Sequence, residues 1–265
     1  MQKNILPAIF CFLAVFCTGC ASTGDKDDTA GMSAQQIFQA AKDAEADGTW
    51  DKAVKYLERL EARYPYGTYA QQAQLEMCYA HWKDNETEQA IAACDRFLKL
   101  HPNHSAVDYV LYLKGLIYFN EDLGYVAYLG STDPTERDSL AAKESFMAFS
   151  ELLRRFPESS YADDARQRLR YLLNAMARNE IHIARYYLKR QAYLAAVNRA
   201  QNVLETYPNT PSSEEALYIM IVAYDALGLQ DLKADTERVM AQNFPQSLFL
   251  EKGMNAYKTP WWKLW

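Results

Sequence analysis

The stretch from Thr68 to Pro102, TYAQQAQLEMCYAHWKDNETEQAIAACDRFLKLHP, decides the fold. Small residues stand at Cys78, Ala90 and Cys94, His81 takes the place where a helix-pair repeat usually has Tyr, and the segment closes on Leu100-His101-Pro102. Two antiparallel helices approach closely only where small side chains meet and larger ones fill the flanks. A proline then ends the second helix at the residue before it. The stretch reads as one helical hairpin.

The same ending recurs outward from it, at Tyr64-Pro65, Phe156-Pro157, Tyr207-Pro208 and Phe244-Pro245. Successive prolines lie 37, 55, 51 and 37 residues apart, which is one unit with insertions of about 18 and about 14 residues. A mid-thirties period closing on Pro is the pattern of tetratricopeptide (TPR) helix pairs. Small and large residues fall where such a unit needs them. Counting back from Pro65 gives Ala41, Ala53 and Leu57; Pro157 gives Ser145 and Phe149; Pro208 gives Ala184, Tyr187 and Ala196. The frame that follows Pro102 puts Gly115 and Tyr118 on the first helix of the third unit. The last unit fits at Tyr224, but Ala234 stands one residue beyond the small position of its second helix. The pattern predicts an all-α, TPR-like right-handed superhelix of five helix pairs over residues 34–257. Gly124, Gly130 and Asp133-Pro134 place an insertion loop at about 120–140. The other insertion lengthens a helix from Tyr161 to Lys189, roughly 40 Å at 1.5 Å per residue. No strand pattern of any size competes.

Composition narrows the function. The 265 residues carry 28 Lys+Arg against 34 Asp+Glu, a formal charge of −6, and nothing here would neutralise a run of phosphates, so no nucleic acid is expected as a partner. Hydrophobic residues make up 49%, enough for a sizeable core, while 10 Gly and 9 Pro are few for a fold built on tight turns and glycine loops.

The first residues read as an export signal. Lys3 precedes twelve apolar residues, Ile5 to Phe16, which span roughly 18 Å as a helix against a hydrocarbon core of ~30 Å. Cys17-Thr18-Gly19-Cys20 resembles a bacterial lipobox, with Cys17 where that pattern usually has Leu. The resemblance implies a signal peptide over 1–19, lipidation of Cys20, and, with Ala21 following, sorting to the outer membrane. Residues 20–33 are small, polar and acidic, and read as a flexible tether.

Catalysis has no motif to carry it. The four histidines, His81, His101, His104 and His182, form no HExxH pattern, and no GxSxG, GxGxxG or P-loop occurs. His101 and His104 flank a proline turn and read as turn and cap residues. No cofactor is expected. Cys78 and Cys94 sit on facing helices of one unit, and read either as a structural disulfide or as two small buried thiols. In the tail, Trp261, Trp262 and Trp265 lie beside Lys258 and Lys263. Indoles this dense need a cover: the last helix pair, a partner protein or the membrane interface.

Larger motifs are similar to the BamD (ComL) family. They are Arg63-Tyr64-Pro65-Tyr66-Gly67-Thr68-Tyr69, Asp95-Arg96-Phe97 and Asp108 to Leu116, then Tyr161, Asp164-Ala165, Arg168-Leu169, Tyr186-Tyr187, Arg190 and Val197-Asn198-Arg199. The resemblance covers roughly residues 33 to 250. It implies an outer-membrane lipoprotein on the periplasmic face, a scaffold in the machine that folds and inserts β-barrel proteins. Implied partners are the periplasmic domains of the central barrel subunit, accessory lipoproteins and unfolded outer-membrane proteins. It also implies that Arg199, with Arg190 nearby, belongs to the barrel-subunit contact, and that the N-terminal units meet substrate. Tyr64, Tyr66 and Tyr69 are then candidates for a substrate groove, with core packing the competing role. The alternative function is a cell-wall-associated TPR lipoprotein that binds peptidoglycan or its synthases.

Overall fold

The computed structural model describes residues 28–123 and 140–253. In chain order its helices are α1 (Ala34–Ala46), α2 (Trp50–Arg63), α3 (Thr68–Lys83), α4 (Thr87–Leu100), α5 (Val107–Leu123), α6 (Leu140–Arg155), α7 (Ala162–Lys189), α8 (Tyr193–Thr206), α9 (Ser212–Ala226), α10 (Gln230–Asn243) and the short α11 (Phe249–Lys252). The first ten make the five expected pairs, each helix packed on the next, and no strand occurs among the described residues.

Two kinds of turn build this order. Within pairs one, two, four and five the first helix ends on a residue in the left-handed region: Gly48, Asn85, Gln191 and Gly228, at φ +61° to +73°. Each closes a double hydrogen bond back onto the helix, as in Asn85 N–H to Trp82 O and Glu86 N–H to His81 O. That is the Schellman ending, which satisfies carbonyls that have no helical partner. Between pairs, the residue before each proline leaves the α region: Tyr64, His101, Tyr207 and Phe244 sit at φ −124° to −132° and ψ +55° to +69°. The proline ring forbids its predecessor a helical ψ, and so the repeat breaks where the sequence repeats.

The core follows the same interval. Leu60, Phe97, Leu152, Val203 and Met240, each five residues before its unit's proline, are all fully buried. Ala41, Ala53, Leu57, Ala90, Ser145, Phe149, Ala184 and Ala196 are buried at the helix crossings as the pattern requires. The closest crossing is α5 on α6. A Cβ built on Gly115 would lie 2.5 Å from the Phe149 ring, and the Ser145 hydroxyl donates to the Gly115 carbonyl at 2.9 Å. α7 is the long helix expected, 28 residues, and packs on α6, α8 and α9.

Two expectations need correction. Residues 28–33 are no part of a flexible tether. Thr29 is fully buried, Met32 packs on the first core cluster, the Arg63 guanidinium donates to Thr29 O and the Tyr64 hydroxyl to Met32 O at 2.9 Å. Ser33 then opens α1 with a capping box, its side chain paired with Gln36. Polar composition hid this, because the segment docks through its backbone carbonyls. In the last pair, Ala234 is exposed, and Lys233 at the nominal small position reaches Asp225 at 2.8 Å. Among the described residues no sixth pair covers α10, which buries only Thr236 and Met240. The signal segment, Cys20, most of the insertion loop, and Trp261, Trp262 and Trp265 lie outside the described residues.

Candidate functional site: two faces of the solenoid

The first face is a groove of about 770 Å³ between pairs one and two. α2 contributes Glu58, Glu61 and Ala62; α3 contributes Gln74, Met77 and His81; Ala92, Ala93 and Arg96 come from α4. Its polar groups are tied to one another. Arg96 forks onto Glu61, with Nη1 to Oε2 at 3.1 Å, and Gln74 Nε2 donates to Glu61 Oε1 at 2.7 Å. Gln74 Oε1 pairs with His101 Nε2 at 2.7 Å, and His81 Nδ1 with Glu86 at 2.7 Å. Met77 and the alanines leave an apolar floor between these fixed polar walls, which suits an extended chain with spaced apolar side chains.

The three candidate tyrosines do not come together in this groove. Of the turn that carries them, only Pro65 lines it. Tyr64 is half-buried against the N-terminal segment, Tyr69 packs its ring 5.8 Å from Phe38, and Tyr66 stands free at 91% exposure. Packing therefore accounts for two of the three. Sequence reading missed Glu61 and Gln74, because Glu61 meets Arg96 across 35 residues, where no local pattern signals it.

The second face lies along α7 and α8. Arg199 projects from α8, its side chain 44% exposed, beside the inward Ala196 and Ala200. It is held by Glu180 of α7 at 3.1 Å, a carboxylate only 15% exposed. Arg190 is exposed at the end of α7, its guanidinium 5.7 Å from the Tyr186 ring centre. Arg185 makes a two-pronged pair with the nearly buried Glu215 of α9. A hollow of about 570 Å³ beside it is lined by Asn179, His182, Ile183, Arg185, Tyr186 and Lys189. The face is mixed in charge, with Arg199 and Arg185 paired to Glu180 and Glu215, and Tyr186 and Leu194 are exposed on it.

Shifted titrations support the scaffold. Burial pulls the Asp164 carboxyl upward, but its hydrogen bonds from Arg168 and Tyr112 outweigh that and hold it below its ordinary value. Burial also pushes Glu45 up against the pull of Lys42. His101 and His104 are turn residues, their rings tilted and edge-on to Phe97 at 5.2 and 5.3 Å, with His104 Nδ1 accepting from Ala106 N–H at 3.1 Å. Among the described residues no group of three His, Cys, Asp or Glu could hold a metal, and no helix is long and apolar enough to cross a membrane. Cys78 and Cys94 are both buried and free.

Known proteins match along the whole chain. The family model described as outer membrane lipoprotein, YfiO, matches residues 30–239. The outer membrane protein assembly factor BamD of Neisseria meningitidis serogroup B is 44% identical over 266 residues, covering all of both chains. The protein of that name from Vibrio cholerae is 37% identical over 243 residues, 92% of this chain and 99% of its own. Among solved structures, the TPR2AB-domain:pHSP90 complex of yeast Sti1 has a TM-score of 0.42 at 12% identity, covering 81% of this chain and 79% of its own.

Proposed function

The chain belongs to the BamD (YfiO) family of outer membrane lipoproteins, and from that premise we propose that it is a lipid-anchored scaffold subunit for folding and inserting β-barrel proteins into the outer membrane. The end-to-end match to proteins named outer membrane protein assembly factor carries this reading. The two faces support a division of labour. The groove between pairs one and two takes extended, unfolded barrel segments. The face of α7 and α8 docks a folded periplasmic domain of the central barrel subunit, with Arg199 and Arg190 presented to its carboxylates. It binds and positions; it does no chemistry.

The lipid on Cys20 sets where this happens. With residues 28–33 docked, only residues 20–27 separate the anchor from the body, at most about 28 Å of extended chain. Three acyl chains at ~0.8 kcal/mol per buried CH₂ make such anchoring stable. Metabolic labelling with palmitate tests the anchor: wild-type chain takes up label and Cys20→Ala does not, whereas an unlabelled wild type refutes it.

Pull-down from detergent-solubilised envelopes tests the function. A large barrel protein with periplasmic domains is the expected companion, and cell-wall synthases in its place would favour the peptidoglycan reading. Arg199→Gln locates the contact. It gives up one half-exposed ion pair, so stability stays within ~1 kcal/mol while the companion is lost. Charge reversal to Glu is the poorer probe, because it sets two carboxylates together at Glu180.

A further inference from the structure

α3 and α4, which wall the groove, also bring two thiols together. Cys78 and Cys94 are both fully buried where α3 packs on α4. Cys78 donates to the Gln74 carbonyl at 3.4 Å. The repeat explains why they meet. Cys78 and Cys94 hold the places in pair two that Gly115 and Phe149 hold in pair three, where a Cβ on the first helix would lie 2.5 to 2.8 Å from the ring on the second. A side chain at the first place therefore points straight into the one at the second. Pair one fills these places with Ala41 and Leu57, and pair four with Ala184 and Ala200. In pair two both side chains are thiols.

We propose that Cys78 and Cys94 are a disulfide site, closed into a covalent staple between α3 and α4 when the chain folds in an oxidising compartment. The proposal rests on the export reading for its setting and on the helix crossing for its geometry. A disulfide needs Cβ atoms ~3.8 Å apart and an S–S bond of ~2.05 Å, and small side chains at the crossing leave room for rotation about χ1.

The chemistry is thiol–disulfide exchange with a small-molecule or protein disulfide as oxidant. One cysteine thiolate attacks a sulfur of the oxidant, whose S–S bond breaks and whose other sulfur leaves and takes up a proton. The second cysteine thiolate then attacks the mixed disulfide, and the oxidant's remaining sulfur leaves as a second thiol. Two cysteines are oxidised and one disulfide is reduced to two thiols. In the folded chain, the neighbouring Cys78 and burial both raise the Cys94 thiol, which disfavours the thiolate that exchange requires. The bond therefore forms during folding, before α3 and α4 seal over it. Once closed, it is shielded from reductant and fixes the spacing of the groove walls that carry Gln74, Met77 and Arg96.

The test is the purified mature chain, unfolded, then refolded with oxidised and reduced glutathione, and alkylated in denaturant with and without prior reduction. The expected product weighs about 2 Da less than the dithiol and takes up two alkyl groups only after reduction. It also melts several degrees higher than the reduced chain, a difference that Cys78→Ala/Cys94→Ala abolishes. Two thiols alkylated without reductant, or two glutathione adducts, would overturn the proposal. Membrane fractionation of the same chain reads export separately, so a failed localisation and a failed staple are told apart.

Discussion

At the first helix pair the chain covers its own end, and among the described residues the last pair has no such cover. Thr29 and Met32 lie against α2, fastened by Arg63 and Tyr64. At the other end α10 buries only Thr236 and Met240, and leaves Leu229, Leu232 and Val239 exposed at 41–47%. The short α11 packs on α9, with Phe249 stacked 5.4 Å from Tyr218 and clustered with Met240 of α10. A solenoid end needs either a polar outer face or a cover, because each repeat otherwise buries its apolar side on the next. The first end has a cover six residues long. The last end is mostly polar but carries an apolar flank, on the half of the molecule assigned to the folded partner.

The interior sets the scale for both ends. Gly115→Val drives a branched side chain into Phe149, and is expected to lower stability by about 3 kcal/mol, read as a fall in the urea midpoint with unchanged slope. A cost under ~1 kcal/mol would mean that α5 and α6 are looser than the crossing described here. The first end comes next. Tyr64→Phe removes the hydroxyl that holds Met32 and is expected to cost about 1 kcal/mol. The sharper readout is limited proteolysis, which should begin cutting within residues 28–33. Equal resistance in both proteins would erase the difference between the ends. The last end gives the smallest effect. Leu232→Ser should change the isolated chain by less than ~0.5 kcal/mol while weakening co-purification of the partner. A loss above ~1 kcal/mol would show that the chain covers this flank itself, and deletion of 258–265 reproducing that loss would identify Trp261, Trp262 and Trp265 as the cover.

Most of the fold was legible because its determinants are local and repeat. The five prolines, and small residues such as Ala53, Ala90 and Ala196, state the helix pairs directly. Gln191 was not legible as a turn residue. Its left-handed backbone is imposed by the pair around it and lies outside the usual Gly or Asn signal. The pairing of Arg199 with Glu180 was invisible in the sequence, since it depends on how α7 lies against α8. The tyrosines of residues 64–69 misled for the same reason. Clustered in sequence, they divide in space between packing and solvent, while the groove draws on Glu61, Gln74 and Arg96 from three helices.

Depletion of the chain from growing cells tests the central claim most directly, with outer-membrane β-barrel proteins followed by their shift between folded and heat-denatured mobility on gels. The account predicts that the folded forms disappear from the envelope and unfolded forms accumulate before cell-wall synthesis changes. Folded barrels persisting at normal levels after the chain is gone would contradict it.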